Sequence, residues 1–296
     1  MSIAVVGSLN MDLVTYTEKF PEPGETVIGN DFSQIPGGKG ANQALNIACL
    51  EQEVLFIGAC GKDHYGKILK HNLEKNGVNI ECLYEVETST GIASINVDNK
   101  GENKIIVVPG ANYELTAEKI ENLEEIIKDK DIILLQMEIP EETIIKTIEI
   151  AENSTIILDP APPKKLPQGI YGKIDYILPN QNELHKLCKD CVTVQEKMKT
   201  LLNWGVKSVI YTRGAEGVEF ISQKERKKYE ASDVENVVDR TGAGDALAGA
   251  FAYALNQGWE IERAISFANK VAGISVCKPG AQNSFSDKEL EIIHKN

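Results

Sequence analysis

A glycine-rich turn that ends in a carboxylate runs from Asp239 to Asp245, directly before a helix-like segment. Gly242 and Gly244 allow the backbone to turn sharply and to come close to a ligand. Amide N–H groups at the start of a helix can then point at one anion, while Asp245 can accept a proton. A potential base beside an anion-binding turn suits phosphoryl transfer to a hydroxyl, because that reaction is catalysed mainly by positioning and electrostatic stabilisation.

A second glycine-rich turn, Gly37-Gly38-Lys39-Gly40-Ala41-Asn42, also precedes a helix-like segment. It does not match a P-loop, because glycine follows Lys39. Asn10 and Asp12 follow the first predicted strand, and Glu138 follows a later one. Amide and carboxylate groups at strand ends can hydrogen-bond several hydroxyls at once. The pattern therefore favours a polyol as ligand, although each residue taken singly could be a loop or capping residue.

The elements that must position these groups alternate between strands and helices. This alternation indicates a mostly parallel α/β sheet covered on both faces, with ligands bound at the carboxyl ends of its strands. The predicted strands are 3–6, 54–57, 132–135, 155–158, 176–178 and 209–212, and the predicted helices are 43–49, 141–151, 182–187, 194–202, 246–256, 261–275 and 287–294.

Two segments interrupt the alternation, at about residues 12–35 and 84–108. The first is rich in Pro, Gly and Thr, and in the second two β-branched runs flank the turn Asp98-Asn99-Lys100-Gly101. Such a pattern is typical of antiparallel strands and a hairpin. We predict that both segments form a small β-sheet lid on a single α/β domain spanning residues 1–296. An exposed apolar appendage of this kind often binds a partner.

The 296 residues carry a net charge of −13, which argues against non-specific binding to nucleic acid or to an anionic membrane. The basic residues Lys224, Arg226, Lys227 and Lys228 are interpreted as a solvated hairpin face. No apolar run approaches the length of a membrane span and no leader pattern opens the chain, so we expect a cytoplasmic protein. The six scattered cysteines are expected to be reduced, and Cys188-Lys189-Asp190-Cys191 lacks further zinc ligands.

Four ordered motifs resemble those of the ribokinase-like (PfkB) family of sugar and nucleoside kinases. They are Asn10-Met11-Asp12, Phe20-Pro21-Glu22-Pro23-Gly24-Glu25-Thr26, Gly37 to Asn42, and Asp239 to Asp245. The resemblance extends to Gly280-Ala281-Gln282 and implies the ribokinase-like fold, a central mostly parallel sheet flanked by helices with a small β-sheet lid. It implies ATP-dependent phosphorylation of D-ribose at its 5-hydroxyl to ribose 5-phosphate.

Two other classes of function remain open. The first is a related kinase acting on 2-deoxyribose, a ketose or adenosine. A nucleoside needs an apolar wall for its base, and only 6% of the residues are aromatic. The second is a sugar-binding regulator without turnover.

The resemblance also implies roles for individual residues. Asp245 would be the catalytic base, which takes the proton of the sugar's primary hydroxyl as that hydroxyl attacks the γ-phosphorus. The amides of Gly242, Ala243 and Gly244 would form the anion hole. The sugar would be bound by Asn10, Asp12, Gly38, Lys39, Gly40, Ala41, Asn42, Glu138 and Asp245, with Ala93 and Ile95 of the lid closing over it.

The family resemblance implies ATP, Mg²⁺ and an activating K⁺ as cofactors, and a homodimer formed through the lid. Glu183 of the Asn180-Gln181-Asn182-Glu183 element would bind Mg²⁺ through water. ATP would contact Asn180, Thr212, Arg213, Gly214, Ala215, Glu216, Gly217, Gly244, Asp245 and Asn269. The monovalent cation would be held by Asp239, Thr241, Ser275, Lys278, Gly280 and Ser284, several of them through backbone carbonyls. Arg213 and Arg240 depart from the family pattern and are expected to point to solvent.

Overall fold

The computed structural model describes residues 2–232, 234, 236–282 and 285–294. Within this part the chain forms a nine-stranded sheet and a separate four-stranded sheet. The strands are β1 (Ile3–Val6), β2 (Asn10–Tyr16), β3 (Asp31–Gly37), β4 (Val54–Gly61), β5 (Asn79–Val86), β6 (Gly91–Val97), β7 (Asn103–Val108), β8 (Ile132–Gln136), β9 (Thr155–Asp159), β10 (Tyr176–Ile177), β11 (Ser208–Thr212), β12 (Val218–Ser222) and β13 (Arg226–Tyr229).

The helices account for most of the remaining described chain. They are α1 (Lys39–Ala48), α2 (His64–Lys75), α3 (Ala117–Glu121), α4 (Glu124–Lys128), α5 (Glu141–Ile150), α6 (Gln168–Tyr171), α7 (Gln181–Leu187), α8 (Val194–Asn203), α9 (Ala243–Asn256), α10 (Ile261–Ser275) and α11 (Asp287–His294), with 3₁₀ turns at Gly110–Glu114 and Gly214–Glu216. Every predicted strand and helix is present, with ends that shift by up to four residues. The largest shifts are in β4, which extends to Gly61, and in α1, which begins at Lys39, so that Lys39 to Asn42 lie in the helix and not in a turn before it. Helix α2 is the longest helix that the sequence pattern missed.

The large sheet has the strand order β13-β12-β11-β10-β9-β8-β1-β4-β5. It is parallel from β11 to β5, and β12 and β13 add an antiparallel edge. Side chains of β1 alternate between its faces. Val5 joins the core formed with α1, α9 and α10, whereas Ala4 and Val6 join the core formed with α5, α7 and α8. Burial on both faces explains why the parallel strands are continuously apolar.

The small sheet has the order β3-β2-β6-β7. Its outer pairs are antiparallel, as predicted, but the central pair β2/β6 is parallel. These two strands continue the chain from β1 and β5, which run in the same direction in the large sheet, so they leave it in the same direction. The second lid segment also begins later than residue 84, because residues 84–86 still pair with β4.

The six cysteines are free thiols, and Cys188 is the C-terminal capping residue of α7. In the part of the chain that is described, no helix has the length and apolar character needed to cross a membrane.

Candidate functional site

The Asp239–Asp245 turn leads into helix α9, with Gly242 as its N-cap at a φ of 77°. A Cβ at Gly242 would lie 2.4 Å from the Cβ of Ala281, so both the backbone angle and the close approach require glycine. Helical hydrogen bonding begins with the Ala246 N–H donating to Gly242 O at 2.8 Å. The amides of Gly244 and Asp245 therefore have no intrahelical acceptor. An exposed Gly244 leaves its amide accessible to an anion.

The carboxylate of Asp245 is buried, with 4% exposure, and faces the N-terminal turns of α1. Asn42 Nδ2 donates to its Oδ2 at 2.9 Å, and Gln43 Nε2 donates to its Oδ1 at 3.1 Å. Lys39 Nζ lies 3.3 Å from the same Oδ1. The two glycine-rich turns that the sequence singled out are thus in direct contact.

A second buried carboxylate, Asp159, shares two of these donors. Its Oδ2 accepts from Lys39 Nζ at 3.1 Å and from Gln43 Nε2 at 2.9 Å. Burial raises the pKa of Asp159, and the Lys39 ammonium opposes that shift. Burial likewise disfavours the charge of Lys39, but the carboxylates of Asp159 and Asp245 outweigh it and hold the Lys39 pKa well above its usual range. Lys39 therefore stays charged between two carboxylates.

Glu138 and Asp12 add two more carboxylates to this region. Glu138 Oε2 accepts from Ser8 Oγ at 2.6 Å and from the backbone N–H of Lys39 at 3.1 Å. Burial raises the pKa of Asp12 to about 7, and the charges of Glu138 and Asp245 add to the shift. The negative charges of Glu138 and Asp245 therefore both act on Asp12, so the three carboxylates belong to one region of the structure.

The lid presents one face toward this region. Asn10, Asp12 and Val14 alternate along β2 and share a face, and their parallel register places Ala93 beside Asp12 and Ile95 beside Val14. Asn10 and Ala93 are buried on this face. The residues of the lid that were assigned to sugar binding therefore share one face of the small sheet.

Gly38 and Gly40 let the α1 turn approach the strand end. Gly38 has a φ of 90°, and a Cβ there would lie 2.6 Å from Asn10 N. A Cβ at Gly40 would lie 2.7 Å from Ser8 N, and its neighbour Ala41 donates its N–H to Ser8 O at 2.9 Å. Side chains larger than hydrogen at Gly38 and Gly40 would push Lys39 away from the carboxylates.

The predicted nucleotide residues occupy neighbouring loops. Asn180 caps α7 in a reciprocal capping box with Glu183, and it forms an isolated parallel bridge to Thr212 at the end of β11. Burial raises the pKa of Glu183, and the charge of Asp245 adds to this shift while the Lys39 ammonium opposes it. The charge of Glu183 in turn helps to hold the Lys39 pKa above its usual range.

The other polar residues near the predicted nucleotide site differ in their exposure and in their contacts within the protein. The side chain of Arg213 was expected to point to solvent, but it is only 23% exposed and forms an ion pair with Glu216 of the same loop. Arg240 is exposed, as expected. Asn269 is buried in α10 and donates its Nδ2 to Glu230 O at 2.5 Å, so this amide group is already engaged within the protein.

The residues assigned to a monovalent cation are partly grouped. Asp239 Oδ1 accepts from Thr241 N at 2.9 Å and from Thr241 Oγ1 at 2.6 Å, and its Oδ2 accepts from Gly280 N at 2.8 Å. Although burial opposes ionisation, these hydrogen bonds hold the pKa of Asp239 below its usual range. The Lys278 ammonium pairs with Glu289, which leaves its backbone carbonyl as the candidate ligand. Ser275 Oγ donates to Ala272 O, and Ser284 lies outside the described residues.

Across the described ranges, no three or more His, Cys, Asp or Glu side chains gather so that they could hold a metal ion.

Three polar residues of the network were missed by sequence reasoning. Gln136 and Asp159 end the buried strands β8 and β9, and the signal that singled out Glu138, a polar residue where a buried strand ends, could have found them. Gln43 lies four residues after Lys39 on α1, so both share one helix face.

Comparisons with known proteins show the family to which the chain belongs. Residues 1–288 match the pfkB family of carbohydrate kinases. The chain is 41% identical to the ribokinase of Bacillus subtilis over 99% of both chains. The crystal structure of a ribokinase from Thermotoga maritima superposes with a TM-score of 0.92 at 40% identity, covering 100% of this chain and 99% of that one. The structure of Arabidopsis thaliana ribokinase complexed with ribose and ATP also has a TM-score of 0.92, at 31% identity, with 100% and 99% covered.

Proposed function

Since the chain belongs to the pfkB family of carbohydrate kinases, we propose that it has the activity of a ribokinase, phosphorylating D-ribose at its 5-hydroxyl with ATP. The observation that carries this proposal is the contact of Asp245, at the start of α9, with Lys39 and Asn42 of the other glycine-rich turn. This contact supports the proposal, because it brings the proposed base and the start of α9 beside residues that were assigned to sugar binding.

The proposed reaction follows from these positions. Asp245 takes the proton of the 5-hydroxyl, and the resulting oxygen forms a bond to the γ-phosphorus of ATP. The bond from that phosphorus to the β–γ bridging oxygen breaks, and ADP leaves with its electron pair. The amides of Gly242, Ala243 and Gly244 and the ammonium of Lys39 stabilise the negative charge on the transferred group. Asn10, Asp12, Asn42 and Glu138 bind the other hydroxyls and exclude acceptors that lack them.

Mg²⁺ fits Glu183 best through water. Glu183 Oε2 accepts from the backbone N–H of Asn180 and Oε1 accepts from Asn180 Nδ2, each at 2.7 Å. With both oxygens engaged, a water-mediated contact needs less rearrangement than direct coordination, and Mg²⁺ commonly keeps several waters. When bound with ATP, Mg²⁺ would neutralise phosphate charge.

A potassium ion fits the oxygen-rich loop pair joined by Asp239. Carboxylate, hydroxyl and carbonyl oxygens are donors suited to hard cations. We propose as its holders Asp239, Thr241, Ser275, Lys278 and Gly280. The bound ion would add positive charge beside the anion hole.

We further propose that two copies of the chain associate through the lid. Strand β7 at the lid edge exposes Ile105, Ile106, Val107 and Val108, with exposures of 52, 67, 44 and 48%. Exposed β-branched residues on an unpaired edge favour association with another sheet.

An acceptor panel tests the proposed activity. ADP release is measured with D-ribose, fructose, 2-deoxyribose and adenosine, each with and without K⁺. We expect the highest kcat/KM with D-ribose and stimulation by K⁺. A clear preference for another acceptor would show that D-ribose is the wrong substrate. Ribose binding without ADP release would favour a sugar-binding regulator.

A further inference from the structure

Two buried amides lie behind the carboxylate of Asp245. Gln43 on α1 and Gln136 at the end of β8 are each 0% exposed. Gln136 Nε2 donates to Gln43 Oε1 at 2.6 Å. Gln43 Nε2 in turn donates to Asp245 Oδ1 at 3.1 Å and to Asp159 Oδ2 at 2.9 Å. The amide pair therefore connects a strand of the large sheet to both buried carboxylates.

The chemistry of the partners determines the orientation of both amides. The Lys39 ammonium, which can only donate, faces the same two oxygens, Oδ2 of Asp159 and Oδ1 of Asp245. Both oxygens therefore act as acceptors, and Gln43 must turn its NH₂ group toward them. Its oxygen then faces Gln136, which must also present an NH₂ group.

The cost of this orientation falls on the amide oxygen of Gln136, Oε1. Among the described residues Gln136 Oε1 has no hydrogen-bond partner, and it lies against Gly7, where a Cβ would be only 1.9 Å away. An unsatisfied buried acceptor costs about 1–3 kcal/mol, so stability alone does not explain a glutamine here.

The two oxygens of Asp245 consequently have different surroundings. Oδ1 faces two donors, Gln43 Nε2 and the Lys39 ammonium, whereas Oδ2 faces the neutral amide of Asn42. An oxygen that accepts from a cation and a second donor is the weaker proton acceptor of the two.

We propose that Gln136 is a positioning residue that, by fixing the Gln43 amide, anchors Oδ1 of Asp245 and leaves Oδ2 to take the proton of the sugar hydroxyl. If Gln43 turned over, its oxygen would face two carboxylates and repel them. The inference rests on the proposed kinase activity, because it concerns the base of that reaction.

Gln136→Met tests the inference, since it keeps the volume of the side chain and removes both polar atoms. We expect kcat to fall about 10-fold or more because the base is misplaced, with the KM for ribose nearly unchanged. The melting temperature should change little, because the unsatisfied oxygen of Gln136 is removed while Oε1 of Gln43 loses its donor. Gln136→Glu should lower kcat further, since an added acceptor draws the Gln43 NH₂ group away from Asp245.

Asn256→Leu is the matched control. Asn256 Oδ1 is also buried without a partner among the described residues, and Asn256 ends α9. It lies eleven residues beyond Asp245 along the helix, a distance of about 16 Å. We expect its kcat to match that of the unchanged protein.

Steady-state kinetics and thermal unfolding of the three variants decide the outcome. If both Gln136 variants keep the full kcat, or if KM rises as the melting temperature falls, the positioning role is wrong while the kinase proposal stands. If the unchanged protein phosphorylates no acceptor in the panel, both the positioning role and the kinase proposal are wrong.

Discussion

At the scale of residues, the site is organised around one ammonium group among several carboxylates. Lys39 lies between Asp159 and Asp245 and is held charged by them. Asp245 receives donors on both oxygens from α1, which fixes its carboxylate plane. Such preorganisation is what a base for a hydroxyl acceptor requires, because its geometry is set before the substrate arrives.

Replacing the proposed base should separate binding from turnover. We expect Asp245→Asn to bind ribose almost normally, because its size and shape are kept, and to lose about 100-fold or more in kcat. Calorimetric titration with ribose and ADP-release kinetics measure the two effects. Asp129→Asn, at an exposed carboxylate, is the control and should keep full turnover. Near-normal turnover of Asp245→Asn would remove this residue from the role of base.

The raised pKa of Asp12 predicts a pH dependence of stability. Its pKa is about 7 in the folded protein against an ordinary value of 3.8. Between these values the folded protein binds a proton that the unfolded chain has released, so the contribution of Asp12 to the free energy of unfolding decreases as the pH rises.

Asp12→Asn should therefore be more stable than the unchanged protein at about pH 8, and this advantage should shrink toward about pH 4. Urea unfolding of both proteins across this pH range measures the difference. If the stability advantage of Asp12→Asn grew as the pH fell, the predicted direction of the pH dependence would be wrong.

At the scale of elements, two helix N-termini meet, and glycines permit their approach. Gly38 begins α1 and Gly242 begins α9, both at positive φ. The two helices pack against each other in one core, so Lys39, Asn42 and Gln43 face Asp245. Gln282 extends the contact, because its Nε2 donates to Asn42 Oδ1 at 2.9 Å.

Gly242→Ala tests the turn that begins α9. The added Cβ would meet Ala281 at 2.4 Å, next to the Gly280 amide that binds Asp239. We expect lower stability in urea unfolding and a large loss of kcat. Gly258→Ala is the control, because it has a similar φ of 71° with nothing within 4 Å of the added Cβ. The stability of Gly258→Ala should fall only by the cost of a left-handed backbone for alanine, about 1–2 kcal/mol, and its kcat should not change. Equal kcat values for the two variants would contradict the role of the turn.

At the scale of the whole molecule, the small sheet is tied to the large one beside α2. Asp63, the N-cap of α2, accepts from both the backbone N–H and the hydroxyl of Thr90, just before β6. Gln34 of β3 donates to the hydroxyl of Tyr65 at 3.3 Å. These contacts hold the lid face of Asn10 and Asp12 toward the site, while the far edge of the lid, β7, stays exposed.

Ile106→Lys tests association through the lid. A charged side chain on the exposed edge should prevent a second copy from packing there, because the ammonium would lose its hydration. Light scattering at micromolar concentration should give a dimer for the unchanged protein and a monomer for the variant. Val192→Lys, at a residue with 87% exposure outside the lid, should remain dimeric. A monomeric unchanged protein would contradict the proposal.

The sequence by itself determined the local elements and the two reactive turns. Apolar runs such as residues 132–135, and the glycines before Lys39 and Asp245, act through neighbouring residues. Their local structure could therefore be predicted without knowing the fold. The order of the motifs was enough to indicate the family and hence the proposed roles of Asp12 and Asp245.

Only the tertiary structure decided which distant side chains share hydrogen bonds. In the large sheet β8 lies beside β1, and β9 lies beside β8. This strand order brings Gln136, at the end of β8, and Asp159, at the end of β9, into contact with Gln43. The parallel pairing of β2 with β6 was likewise set by the direction in which both leave the large sheet. Strand order depends on how long connections cross the sheet, and no local pattern records it, so the buried network behind the base could not be predicted from the chain alone.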